Sequence, residues 1–114
     1  MIVTIHGTGI ELTDAVKGYA LKKVAALEKF FSGVTKVEID VGLRSNHHQK
    51  GKVYYAEVNM HVPGSFIRVE KESEDLYKAI DKVKDHLKVE LENADEKRRT
   101  KDKKAIRKNK EYQD

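Results

Sequence analysis

Residues 72–91 read ESEDLYKAIDKVKDHLKVEL, and the rest of the chain has to fold around them. Leu76, Ile80, Val83, Leu87 and Leu91 recur at i, i+4, i+7, i+11 and i+15, which places them in one narrow arc of a helix at 3.6 residues per turn. Ser73 is the expected N-cap, because its hydroxyl can accept from the free N–H groups of the first turn. Glu74 and Asp75 put negative charge at the positive end of the helix dipole. Burying five aliphatic side chains contributes roughly 1.5–3 kcal/mol each before conformational entropy is subtracted. Such a stripe needs a sheet or a second helix to lie on.

The upstream sequence supplies both. Residues 1–6 alternate as a strand, with Val3 and Ile5 on one face and Thr4 and His6 on the other, and Gly7 and Gly9 mark a turn. Thr13 is the expected N-cap of a helix over residues 14–31, with an apolar arc of Val16, Ala20, Val24, Leu27 and Phe31 flanked by Tyr19 and Phe30. Ser32 and Gly33 close it. Alternation returns over 36–43, where Val37, Ile39, Val41 and Leu43 oppose Glu38 and Asp40. A third strand over 53–62 turns Tyr54, Ala56, Val58, Met60 and Val62 inward, and a fourth over 66–72 turns Ile67 and Val69 inward. Between these two, Pro63-Gly64 suits the central pair of a type II turn.

The order is therefore β-α-β-β-β-α. A helix between the first two strands permits a crossover to a parallel neighbour, and the later strands can pair as hairpins. The economical fold is α+β, a four-stranded mixed sheet with both helices on one face. The other face then carries Glu38, Asp40, Glu57 and Glu70, with Tyr55 as its aromatic. RNA-binding sheets need exposed aromatics in a positive field, so any RNA is expected on the helical side or the C-terminal tail.

Composition narrows the function further. The 114 residues suffice for one core. The absence of cysteine excludes disulfides, thiolate metal sites and thiol nucleophiles. No apolar run approaches the length of a membrane span and no signal-peptide pattern opens the chain, so a soluble cytoplasmic protein is the default expectation. The net charge of +4 is unevenly spread: nine Lys or Arg stand against one acid between Lys97 and Lys110, leaving residues 1–96 slightly acidic. The sequence divides into an α/β domain over 1–94 and a basic tail over 95–114, either a helix extension or disordered. Such a tail is a solvated charge run or an electrostatic arm for nucleic acid.

Lys23 interrupts the apolar arc of the first helix. Its stem could cover apolar surface while the ammonium reaches water, or it could sit at a rim facing a polyanion beside Lys22 and Lys29; an unpaired buried ammonium is disfavoured by desolvation. The segment RSNHHQKGK, residues 44–52, reads as a basic hairpin loop through Arg44, Lys50 and Lys52. His47 and His48 invite a metal reading, but adjacent side chains of an extended segment point apart and no cysteine or carboxylate stands at ligand spacing. A small metal enzyme using His47, His48 and His61 stays as an alternative. No phosphate loop, nucleophile elbow or HExxH is present. Asp81 and Asp85 share a helix with Lys78, Lys82, Lys84 and Lys88, and are expected to form i, i+4 pairs there.

The first-helix segment ELTDAVKGYALKKVAALEKFF, the strand-turn-strand VYYAEVNMHVPGSFIRVE and the run EDLYKAIDKVKDHL together resemble the ribosome hibernation promoting factor family, the ribosome-associated inhibitors. The resemblance covers residues 1 to about 92. Its most specific part is Asp75, Tyr77, Ala79, Ile80 and Asp81, with further matches at Thr13, Leu27, Glu28 and Phe31. It implies a fold similar to the double-stranded RNA-binding domain with an added first strand. It also implies occupation of the decoding region of the small ribosomal subunit, across the messenger and transfer RNA sites, during starvation or stationary phase. Inhibition would be by occlusion, without catalysis. A general double-stranded RNA-binding module is the other nucleic-acid reading. The expected partners are the small subunit and its ribosomal RNA; no cofactor, membrane or small-molecule substrate is expected, and the free protein is expected to be a monomer.

In the family, basic residues on both helices contact ribosomal RNA. Lys17 and Lys23 keep that character, and Lys22 and Lys29 adjoin them. On the second helix, His86 and Val89 stand where relatives often carry lysine or arginine, and residues 93–95 read Asn-Ala-Asp at a commonly basic end. Lys82, Lys84 and Lys88, with Lys97, Arg98 and Arg99 beyond, are expected to compensate, and His86 is kept as a contact. Long members add a C-terminal domain that dimerises ribosomes; this sequence reads as a short form that does not dimerise them alone.

Overall fold

A computed structural model of the chain describes residues 2–30, 33–47 and 51–111, with the backbone alone described for 45–47 and 95–111. Its elements are β1 (Ile2–Thr8), α1 (Asp14–Ala25), a 3-10 turn (Glu28–Phe30), β2 (Lys36–His47), β3 (Gly51–Val62), β4 (Ser65–Ser73) and α2 (Leu76–Glu111). The strands form one sheet in the order β1-β2-β3-β4. β1 runs parallel to β2, as a crossover through α1 requires, and the two hairpins that follow are antiparallel. This is the expected mixed sheet in the expected order.

Alternation in the strands decides which side is buried. Val37 pairs with Met60, Ile39 with Val58 and Val58 with Val69, and all of these join Val16, Ala20 and Val24 of α1 and Ala79, Ile80, Val83, Leu87 and Leu91 of α2 in one core. Both helices therefore lie on the same face. Leu76, expected in the stripe, is only half-buried; Ala79 is fully buried in its stead. α2 lies over β3 and β4 and packs against α1.

Several boundaries differ from the sequence expectation for local reasons. Ser73 belongs to β4, paired with Tyr54, and the N-cap of α2 is Asp75, whose Oδ1 accepts from the Tyr77 N–H at 2.8 Å. Ser73 Oγ accepts from Asp75 N at 3.4 Å, steadying the link between strand and cap. α1 ends at Ala25 instead of continuing to residue 31. Leu27 N–H bonds to Val24 O and Phe30 N–H to Leu27 O, each at 3.0 Å, so the chain tightens to 3-10 pitch; Leu27 stays buried and Phe30 packs against the core. Phe31 and Ser32 lie outside the described residues. The Thr13 cap is present, its Oγ1 accepting from Val16 N at 3.2 Å.

The second and third strands extend beyond the expected limits, with a bulge between Leu43 and Ser45, so Arg44 and Lys52 are strand residues; residues 48–50 of the expected loop, Lys50 among them, lie outside the described residues. Gly64 has φ 70°, the positive value that the turn after Pro63 demands. α2 does not stop at Leu91. Its 36 residues run through the basic segment to Glu111, about 54 Å at 1.5 Å per residue. The radius of gyration, 18.0 Å, accordingly exceeds the about 13 Å of a compact domain this size. No helix among the described residues is long and apolar enough to cross a membrane.

Candidate nucleic-acid interface

The helical side is organised by contacts between α1 and α2 that begin in the run Asp75 to Asp81. Tyr19 of α1 donates its hydroxyl proton to Asp81 Oδ1 of α2 at 2.6 Å, and the Tyr19 and Tyr77 rings meet edge to face at 4.9 Å. Lys23 lies 5.2 Å from the Tyr19 ring centre, with its ammonium 3.7 Å from Asp81 Oδ1. The carboxylate that accepts the Tyr19 hydrogen bond, aided by partial burial, pushes the phenol up to about 12 from an ordinary value near 10. Lys23 is thus neither an unpaired buried charge nor a lysine reaching water alone. Its stem is half-buried between the helices and its charge is answered by Asp81, a partner not anticipated from the helix pattern.

That arrangement also corrects the expected pairing of Asp81 within α2. Asp81 pairs across to α1, and among the described residues the i, i+4 pair on α2 is His86 with Glu90 at 3.3 Å. His86 is therefore engaged by a carboxylate on its own helix. Lys82 donates to the Glu72 carbonyl at 3.2 Å, where α2 leaves β4. Lys84 is half-buried, while Lys17 and Lys22 project from α1 with no ion pair among the described residues. Lys29 and Lys88 come together on Phe30, each ammonium 5.3 Å from its ring centre. Lys97, Arg98 and Arg99 continue α2, and their side chains lie outside the described set.

The outer sheet face is a different surface. Asp40 accepts from Thr8 Oγ1 at 3.0 Å and from the Tyr55 hydroxyl at 2.9 Å; Arg44 covers the Tyr55 ring at 4.6 Å and pairs with Glu70 and Glu72. Glu57 binds Asn59 and Arg68, and Glu38 binds His61 at 3.1 Å and Lys36 at 3.4 Å. The hydrogen bond from His61, then those from Lys36, hold the Glu38 carboxyl below its ordinary value. Tyr55, in contrast, is raised first by burial.

Tyr55 is not the sole aromatic on this face. Phe66 stands opposite His61 with its ring 5.1 Å away and is itself exposed. Its outward position follows from Ile67 pointing inward, so strand parity alone would have found it. Gly42 was also missed: a Cβ there would overlap the Thr8 carbonyl and the Tyr55 ring, so glycine lets β1 and the Tyr55 ring close over β2. Among the described residues no group of three His, Cys, Asp or Glu is placed to hold a metal ion; His61 bonds Glu38, and the His47 and His48 side chains lie outside the described set.

Fold and surface define a small α+β domain with lysines on a two-helix side and a carboxylate-rich sheet on the other. The chain belongs to the family described as Sigma 54 modulation protein / S30EA ribosomal protein, whose model matches residues 3–99. It is 30% identical over 92 residues to the ribosome hibernation promotion factor of Deinococcus radiodurans, covering 79% of this chain and 47% of that protein. It is 33% identical over 91 residues to the ribosome hibernation promoting factor of Azotobacter vinelandii, covering 80% and 79% of the two chains. The chain thus spans about half the length of the first and most of the second. The crystal structure of the Thermus thermophilus Protein Y N-terminal domain superposes with a TM-score of 0.69 at 31% identity, covering 82% of this chain and 98% of that one. A ribosomal subunit interface protein from Coxiella burnetii shares the fold, with a TM-score of 0.70 at 21% identity over 83% and 98% of the chains.

Proposed function

We propose that this chain is a ribosome hibernation factor that binds the small ribosomal subunit through its helical side and acts by occlusion, catalysing nothing. The family and the names of the relatives support ribosome binding. The observation that carries the choice of face is the distribution of answered and unanswered charge. Carboxylates on the outer sheet face are matched by Arg44, Arg68, Lys36 and His61, whereas Lys17, Lys22, Lys29 and Lys88 on the helical side have no ion-pair partner among the described residues. Unmatched cations attract a polyanion; matched carboxylates repel it. The decoding region, where messenger and transfer RNA lie, is the proposed seat, and occupation in the cytoplasm of starved or stationary cells would keep idle subunits out of initiation.

The test is cosedimentation with small subunits. Changing Lys17, Lys22 and Lys29 together to Glu should abolish the association while circular dichroism stays that of the native fold, and retained binding would sink the assignment. The basic end of α2 is tested separately. If residues 97–110 neutralise about six phosphates, log K falls with log[salt] at a slope near −4 to −5, and deleting 100–114 flattens it. Preference for intact subunits over generic RNA duplex separates this reading from a general duplex-binding module.

A further inference from the structure

Both helices begin at the same end of the sheet, α1 after β1 closes at Thr8 and α2 after β4 closes at Ser73, and each then runs back over the strands. The last inward residues of the strands are left uncovered there. Tyr54 shares strand parity with Ala56, Val58 and Met60, yet it is half-buried where they are buried, and it stands outside the core cluster. Leu76, which opens the apolar stripe of α2, is half-buried as well, and so is Ile10 in the link between β1 and α1. With Tyr77 these side chains line a groove of about 490 Å³ whose remaining walls are Glu11, Glu74 and Asp75.

Charge sets this groove apart from a hollow of about 380 Å³ on the outer sheet face. Carboxylates line that hollow too, but Glu38, Asp40 and Glu57 are already bonded there to Lys36, Tyr55 and Arg68. In the groove, Asp75 gives Oδ1 to the cap of α2, and neither it nor Glu11 nor Glu74 has an ion pair among the described residues. Three unanswered carboxylates thus stand beside two aliphatic side chains and two phenol rings. That combination sorts occupants by their chemistry. A phosphate backbone is repelled, and a purely apolar ligand gains nothing from the carboxylates. A guanidinium next to an aliphatic side chain suits every wall: its planar fork pairs with carboxylates and stacks on aromatic rings, while the aliphatic neighbour covers Ile10 and Leu76.

We propose that this groove is the docking site for a protein partner, which it engages through a segment carrying arginine beside aliphatic side chains. Glu11 comes from the link between β1 and α1, and Glu74 and Asp75 from the link between β4 and α2, so the segment is held from two separate connections. The groove goes beyond the RNA contact: it gives the chain a second surface, of opposite charge, for a basic protein. The chain's own basic run is no candidate within one molecule, because the unbroken α2 carries residue 97 about 30 Å from Leu76.

The experiment is a titration of the whole chain, at constant ionic strength, with a blocked peptide of alternating leucine and arginine, followed by amide chemical shifts. The changes are expected to gather at Ile10, Glu11, Tyr54, Glu74 and Tyr77, and a peptide of alternating leucine and glutamate should move none of them. Neutralising the walls with Glu11→Gln, Glu74→Gln and Asp75→Asn together should weaken binding by about tenfold, the share of three exposed charge pairs. Asparagine caps a helix as well as aspartate does, so this variant keeps its fold. Tyr54→Leu, which removes one ring, should weaken binding by about two- to fivefold; thermal unfolding identifies a Tyr54→Leu chain that has lost its fold, and the neutral triple variant then decides. An arginine peptide that moves no amide, changes centred on the outer-face carboxylates, or wild-type affinity in the triple variant each overturn the groove as the site. If the peptide fails to bind while sedimentation shows the chain associating with itself through these carboxylates, a second copy is the occupant and the partner proposal falls. None of these measurements contains RNA or ribosomes, so the ribosome-binding reading stands or falls separately, by cosedimentation.

Discussion

The two faces of the sheet handle charge in opposite ways. On the outer face, each carboxylate of Glu38, Asp40, Glu57 and Glu72 has a partner from the same surface, and the aromatic Tyr55 is capped by Arg44. On the helical side the apolar stripes are spent on the core, and several lysines are left without a counter-ion among the described residues. A surface that satisfies itself gains little from a charged partner, whereas one that leaves cations unmatched gains from every phosphate that approaches. The difference therefore predicts which face is functional before any partner is named.

The comparison can be broken first through the core that separates the faces. Leu87→Ala removes a side chain with 0% exposure beneath the helical side and should destabilise the domain by about 2–5 kcal/mol in urea unfolding, because a cavity is left behind. A smaller loss, about 1–3 kcal/mol, is expected for Gly42→Ala, which overpacks the junction of Thr8 and Tyr55 on the outer face. If both folded variants still bind small subunits with wild-type affinity at low temperature, core and outer face serve as scaffold. Weakened binding by folded Gly42→Ala would instead bring the outer face into the interface.

The smallest effects are in pH, and the two faces should differ in sign. Tyr19 is raised to about 12 in the folded chain, so its contribution is complete below pH 10. Between pH 10 and 12 the folded state binds more protons than the unfolded one and stability falls; Tyr19→Phe should flatten that alkaline loss. Glu38 is lowered in the folded chain, so its contribution is present above the ordinary carboxylate value and lost as pH falls through the folded one. His61→Ala, which removes the hydrogen bond that chiefly lowers it, should flatten the acid limb. Denaturation midpoints across both ranges measure this, and equal slopes in variant and parent would remove the assigned causes.

The elements were legible in the sequence because they depend on near neighbours. Alternation at Val37, Ile39 and Val41 needs only period two, and the stripe from Ile80 to Leu91 needs only 3.6. Capping was harder, since both Ser73 and Asp75 are good caps and the choice depended on how far β4 stays paired with β3. The site was the least legible part. Tyr19 and Asp81 are 62 residues apart, and Lys29 meets Lys88 only because the chain tightens after Ala25 to turn Phe30 towards α2. Periodicity places a lysine on a helix; it does not show whether a carboxylate from another element has already claimed it.

The unbroken course of α2 from Leu76 to Glu111 adds a mechanical property. A continuous helix transmits rotation, so the azimuth of every residue beyond Ala94 is keyed to the azimuth of Leu87 in the core. One residue inserted after Ala94 would turn the whole basic segment by about 100° and advance it by about 1.5 Å without altering its composition. The segment is thus a keyed shaft, and its phase is set by the same leucines that hold the sheet.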